Sequence, residues 1–344
     1  MKNKAKRFLA LLCSIVVAAP LLLLTACNGS ETESSVVESS ETSETSQEST
    51  PDESNESSGD SDMNGTTDAV TRTDLKIIAD VNNTGQPNYY ISAYAYPQTF
   101  VERGVNAKVF DLADSAQYAL LWPKYTVQGT ENSIFTQNER EWIENKRDDL
   151  IKRYQEFKEA GIKVYFTMDM IVLPKSMLKT GLDYRTNGKI DIRKEATRQM
   201  ITDMFDEMFE VFVDEEGNSL IDGIFVRTGE TYTGETHGLP YHQGNNPLDV
   251  YKADMATESE ATIACHTDFV NILREELCVK HDKDLIYRTW SFGDFHNNKG
   301  TYLSVSDQIE PHENLYFSIK YLAGDFFRNV SFNQCLNAGK HQQV

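Results

Sequence analysis

Two short segments of this chain each deliver a cation and then a carboxylate. In Asp222-Gly223-Ile224-Phe225-Val226-Arg227-Thr228-Gly229-Glu230, a β-branched and aromatic run bounded by Gly223 and Gly229 brings Arg227 and then Glu230 to its end. Leu315-Tyr316-Phe317-Ser318-Ile319-Lys320 repeats the idea, with Asp325 following Gly324. A carboxyl group used as a general acid needs a raised pKa, which an apolar or aromatic pocket supplies by disfavouring its charged form. Tyr232 and Trp290 are the rings suited to build such a pocket around Glu230, and Asp325 suits the activation of water. Lys320, Arg288 and Arg227 stand at strand ends, where converging cations bind a carboxylate through charge-assisted hydrogen bonds. Asp169, just past an apolar run at 162–167, is a further candidate for binding substrate. The chemistry these groups suit is acid/base cleavage of a glycosidic bond in an acidic sugar.

Each residue also has a plainer role. Glu230 would cap the following helix, with Glu235 as a competitor for the acid. Asp325 would pair with Arg328, and single cations belong most often to surface ion pairs. Trp122, like Trp290 and Tyr232, is either a sugar-stacking ring or a wall of the core. His237 and His242, five apart in a loop, make a weak metal signal. No Gly-x-Ser-x-Gly elbow is present, so serine hydrolysis has no support.

Alternating strand and helix signals position these groups. β-prone runs occur at 76–79 and 89–96, with turn chemistry at 82–88 between them. They read as leading strands or as the remnant of a small preceding domain. Further strands are expected at 105–110, 162–167, 223–226, 285–289 and 315–319. Helices are expected at 137–160, closed by Gly161, then at 192–213 and 257–279. This alternation predicts an α/β fold with a parallel sheet, specifically a TIM-like (β/α) barrel whose catalytic groups gather at the C-terminal strand ends. No Gly-rich phosphate loop follows the early strands, which leaves a nucleotide-binding sheet unsupported. From position 105 the pattern supplies about five of a barrel's eight units, and a further strand starts near Val344. The expectation is a barrel truncated at its C-terminus or a fold that does not complete one.

Residues 1–27 read as a lipoprotein signal peptide. Lys2, Lys4, Lys6 and Arg7 precede an apolar run, and Leu24-Thr25-Ala26-Cys27 is a lipobox that would lipidate Cys27. The chain is thus expected to be anchored through lipid on the extracellular face of a bacterial membrane. Residues 28–70, rich in Ser, Thr and Glu, read as a disordered linker. The formal charge of −20 divides into +4 over residues 1–27, −12 over 28–70 and −12 over 71–344. An acidic folded region (71–344) argues against nucleic acid as a partner. Cys265, Cys278 and Cys335 make no zinc pattern and are expected as buried free thiols.

Several segments over about residues 160–344 resemble glycoside hydrolase family 67, the α-glucuronidases. The 223–230 run is similar to the family strand ending in Lys-Ala-Asn-Ser-Glu, whose Glu is the general acid. Ile286-Tyr287-Arg288-Thr289-Trp290 is similar to its Ile-Trp-Arg strand, whose Arg contacts the uronic acid. Phe317-Ser318-Ile319-Lys320 with Asp325-Phe326 resembles Gln-Ile-Lys-Asn-Gly-Pro-Ile-Asp-Phe at identical Lys-to-Asp spacing. The resemblance implies that Lys320 binds substrate and that Asp325 belongs to the general-base machinery. The family's other base carboxylate would correspond to a position beyond Val344. The implied activity is inverting hydrolysis of uronic-acid-decorated glycans such as xylan fragments, without a cofactor. A retaining exo-glycosidase on a similar barrel and a non-catalytic glycan-binding lipoprotein stand as alternatives.

Overall fold

The structure is a computed structural model that describes residues 78–80, 96–227, 241, 247–289, 294–323 and 329–344. Its elements run β1 (Ile78–Asp80), α1 (Pro97–Glu102), β2 (Ala107–Phe110), α2 (Gln137–Glu159), β3 (Lys163–Asp169), β4 (Arg185–Thr186), β5 (Lys189–Ile190), α3 (Glu195–Val211) and β6 (Gly223–Arg227). They continue with α4 (Leu248–Asp254), α5 (Glu258–Leu273), β7 (Asp284–Thr289), α6 (Lys299–Ser306), β8 (Leu315–Ile319) and β9 (Gln342–Gln343). A π-helical turn, Arg274–Lys280, extends α5.

Local chemistry explains the boundaries. Thr136 and Glu139 form a reciprocal capping box at the start of α2, and Thr257 with Glu260 repeats it at α5. Gly161, at φ +75°, stops α2 in the left-handed conformation that glycine adopts most readily. Helix α3 buries Met200, Ile201, Met204, Phe205 and Met208 along one stripe.

Among the described residues, seven strands form one sheet in the order β1-β2-β3-β6-β7-β8-β9, and every neighbouring pair is parallel. Spatial order therefore equals chain order. A doubly wound sheet reverses direction at a switch point, and this one does not among the described residues. Right-handed crossovers that always step the same way put their helices on one face. The packing agrees. One core joins the helices to Phe110, Val164, Phe166, Ile224, Val226, Leu285, Tyr287 and Phe317 of the strands. A second cluster holds strand residues alone, Ala107, Val109, Tyr165, Phe225, Ile286 and Tyr316, on the opposite face.

The parallel α/β sheet matches the sequence expectation, with strands at all five positions. Ile78 and Ala79 of the run at 76–79 lie in β1, which pairs with β2 and so belongs to the sheet and not to a separate small domain. The run at 89–96 lies almost wholly outside the described residues. The strand starting near Val344 is β9, in register with β8 through Tyr316 and Gln342. The hairpin of β4 and β5 was not anticipated, because two-residue strands carry no periodicity. Cys265, Cys278 and Cys335 are free and buried.

At the N-terminal end of the sheet, the Tyr165 hydroxyl donates to Oδ2 of buried Asp284 at 2.6 Å. Gly223 lies between them. A Cβ there would stand 2.6 Å from the Tyr165 ring and 2.5 Å from the Asp284 carbonyl oxygen.

Candidate active site

Parallel register aligns the functional side chains. Asp169 pairs with Arg227 across β3 and β6, and Arg288 pairs with Ser318 across β7 and β8. Because Val226 pairs with Tyr287, Arg227 and Arg288 stand side by side one step further on. Asp169, Arg227, Arg288 and Ser318 thus form one row at the C-terminal strand ends. Side chains alternate along a strand, so this row shares the face of Phe225, Ile286 and Tyr316. Lys320 directly follows Ile319, the last residue of β8, at the same end of the sheet.

Asp169 closes β3 and is fully buried. Its Oδ1 accepts from Nε of Arg227 at 2.8 Å, and the Arg227 side chain retains 16% exposure. A buried carboxylate demands this kind of partner, and the pairing fixes where the guanidinium can point. Arg288 and Lys320 are both half-buried.

His296, in the connection after β7, was not picked out from sequence. It is buried, and its Nδ1 lies 3.0 Å from the Thr289 carbonyl oxygen. Because a carbonyl only accepts, Nδ1 carries the proton. Burial lowers the His296 pKa, the hydrogen bond to the Thr289 carbonyl opposes the shift, and the Lys320 and Arg288 charges add to it. The His296 carbonyl oxygen accepts from Nδ2 of Asn333 at 2.9 Å, and Nδ2 of Asn297 donates to the Ala323 carbonyl at 2.9 Å. These bonds clamp the connection after β7 to the one after β8. Sequence spacing contained no sign of them, because the partners are 26 to 37 residues apart.

Glu230, Asp325, Tyr232, Trp290 and Cys27 lie outside the described residues, as do His237, His242 and Glu235. The structure thus brings together Asp169, Arg227 and Arg288 in one row, with Lys320 beyond it. Trp122 belongs to the core. It is 2% exposed, and its ring packs against Tyr125 at 5.6 Å. The Trp122 and Leu121 amides donate to the Glu207 carboxylate on α3 at 2.8 and 2.6 Å.

Away from this face, Asp206, Glu276 and His281 have potential metal-ligand atoms within 4.8 Å of one another. The Lys280 ammonium lies 2.6 Å from Asp206 and 3.3 Å from Glu276, so a protein cation already neutralises the group. A hollow of about 360 Å³ opens beside α3, lined by Lys124, Tyr125, Gln199 and Asp203 among others. Its carboxylate, Asp203, is engaged by Lys124 and by the Tyr125 hydroxyl.

No family model matches the chain, and no curated protein matches it. Among solved structures, the chain is similar to Dispersin B at 13% identity, covering 70% of this chain and 65% of that one, with a TM-score of 0.31. It is similar to a glycoside hydrolase family 5 enzyme from Prevotella bryantii at 12% identity, covering 71% and 63%, with a TM-score of 0.32. A Bacteroides ovatus family 5 xyloglucanase aligns at 12% identity over 66% and 39%, with a TM-score of 0.30. The chain spans less than two thirds of the length of each. The fold assignment rests on the chain's own strand order and register.

Proposed function

We propose that this chain is a glycoside hydrolase acting on uronic-acid-decorated glycans, with its site at the C-terminal ends of an arc of a (β/α) barrel. The observation that carries the reading is the row of Arg227 and Arg288 on one face of a singly wound parallel sheet, with Lys320 directly after β8 at the same end. A uronate carboxylate matches that charge, and guanidinium groups offer it paired donors. Asp169 acts through Arg227 by holding its guanidinium in place.

Glu230 follows Arg227 by three residues and is assigned as the general acid that protonates the glycosidic oxygen. Asp325 follows Lys320 by five and is assigned to the base that activates water on the opposite face of the sugar. Inversion in this way requires carboxyl groups about 6.5–9.5 Å apart, whereas a retaining enzyme needs about 5–5.5 Å. Tyr232 and Trp290 are proposed as pocket walls, and no cofactor is required. Cys27 is proposed as the lipid attachment that holds the enzyme on the extracellular face of a bacterial cell membrane. Among the described residues, no helix is long and apolar enough to cross a membrane.

The test is turnover of aldouronic acids by wild type and Glu230→Gln. Removing a general acid is expected to lower kcat by about 10²–10⁴-fold. Unchanged turnover rejects the assignment. Binding by the wild type without any turnover favours a glycan-binding protein.

A further inference from the structure

Two of the largest exposed apolar side chains lie against each other. Tyr321 is 64% exposed and Phe332 is 65% exposed, yet their ring centroids are 4.8 Å apart at 63°. Single exposed rings are ordinary on protein surfaces and need no explanation. Two in edge contact leave a joined apolar surface in water, although both have a backbone neighbour that is fixed. The Asn333 amide donates to the Tyr321 carbonyl at 3.0 Å, and the Ala323 amide donates to the Ser331 carbonyl at 3.0 Å. Leu322 and Phe332 form an antiparallel bridge between these bonds. Nε2 of Gln334 donates to the Asn297 carbonyl at 2.6 Å, which ties the ladder to the connection after β7. The rings are therefore presented by a braced piece of backbone.

Their location gives the pair meaning. Tyr321 directly follows Lys320, so its Cα lies about 3.8 Å from that of the cation at the end of β8. The geometry points to a stacking platform for a neutral pyranose ring of the glycan main chain, formed by Tyr321 and Phe332 directly after Lys320. A pyranose presents axial C–H groups on one face, an apolar, weakly positive surface that suits the negative face of an aromatic ring. Main-chain sugars carry no charge and would dock on the rings, while a uronate branch reaches Lys320 and Arg288. This assignment rests on the glycan reading above and extends it from the branch sugar to the chain that bears it.

The experiment is calorimetric titration of the intact protein with neutral xylohexaose and, separately, with glucuronic acid. The variants are Tyr321→Ala, Phe332→Ala and Lys320→Met, with sedimentation of each protein alone. Wild type is expected to bind xylohexaose. Each ring deletion should weaken that binding by about three- to tenfold while leaving glucuronic acid affinity unchanged. Lys320→Met should do the reverse. No binding of xylohexaose by wild type, or equal affinity in the ring variants, overturns the platform and leaves the uronate site standing. Failure of wild type to bind glucuronic acid, with the ring effect intact, overturns the uronate reading instead. Self-association that disappears in Phe332→Ala, with xylohexaose affinity unchanged, identifies the pair as a contact between copies and overturns the proposal.

Discussion

Nε of Arg227 donates to Oδ1 of Asp169 across adjacent parallel strands at 2.8 Å, and Asp169 has no exposure to solvent. The pair is the anchored part of the cationic row. Removing one partner of a buried ion pair leaves an uncompensated charge, which costs about 3–5 kcal/mol. Asp169→Leu and Arg227→Met should each destabilise the fold by that order in urea unfolding. The double variant should recover part of the loss. Additive losses would show that the two residues act separately.

The same row gives a titration test. Arg288 and Lys320 both depress the His296 pKa, beneath the larger effect of burial. Lys320→Met should raise that pKa towards the ordinary histidine value when followed by NMR. An unmoved His296 would mean that Lys320 points elsewhere.

Gly223 makes room at the opposite end of the sheet. A Cβ at that position would meet the Tyr165 ring at 2.6 Å and the Asp284 backbone at 2.5 Å, and neither is the loose end of a flexible chain. Gly223→Ala should destabilise by about 1–3 kcal/mol through overpacking. Tyr165→Phe removes the hydroxyl that donates to buried Asp284 and should also cost about 1–3 kcal/mol. Denaturation midpoints equal to wild type would contradict this account of the floor.

Stability should fall on mild acidification. Burial lowers the pKa values of His281, His296 and His341. The unfolded chain therefore takes up protons near pH 6.5 that the folded chain refuses, so stability rises with pH through this window. It is complete above about pH 6.5 and declines below it. Burial pushes Asp191 up, but bonds from Arg193 and Thr186 outweigh it and hold it at about 2. Its contribution stays whole until pH approaches about 4. Urea midpoints at pH 7.5 and 5.5 should differ in wild type, and His341→Gln should narrow the difference.

Sequence patterning exposed the sheet because buried parallel strands are apolar on both faces and glycine or a capping box marks their neighbours. The strand 315–319 is found at its expected boundaries, and α2 ends within a residue of expectation. Strand 162–167 extends to Asp169, because a polar residue at a strand end reads as loop until its partner is known. That partner, Arg227, is 58 residues away. His296 and the Tyr321–Phe332 contact were hidden for the same reason, since each depends on two connections meeting in space. The π-helical turn after α5 has no periodic signature that distinguishes it from the helix it extends.

The most direct test of the central claim compares a glucuronic-acid-decorated xylo-oligosaccharide with its glucose-decorated counterpart, measuring affinity for wild type and for Lys320→Met/Arg288→Met. Wild type should favour the acidic ligand by at least about tenfold, as charge-assisted bonds to a carboxylate contribute about 1.5–3 kcal/mol each. The preference should disappear in the double variant. Equal affinity of wild type for both ligands, or a preference that survives the double substitution, would contradict the claim.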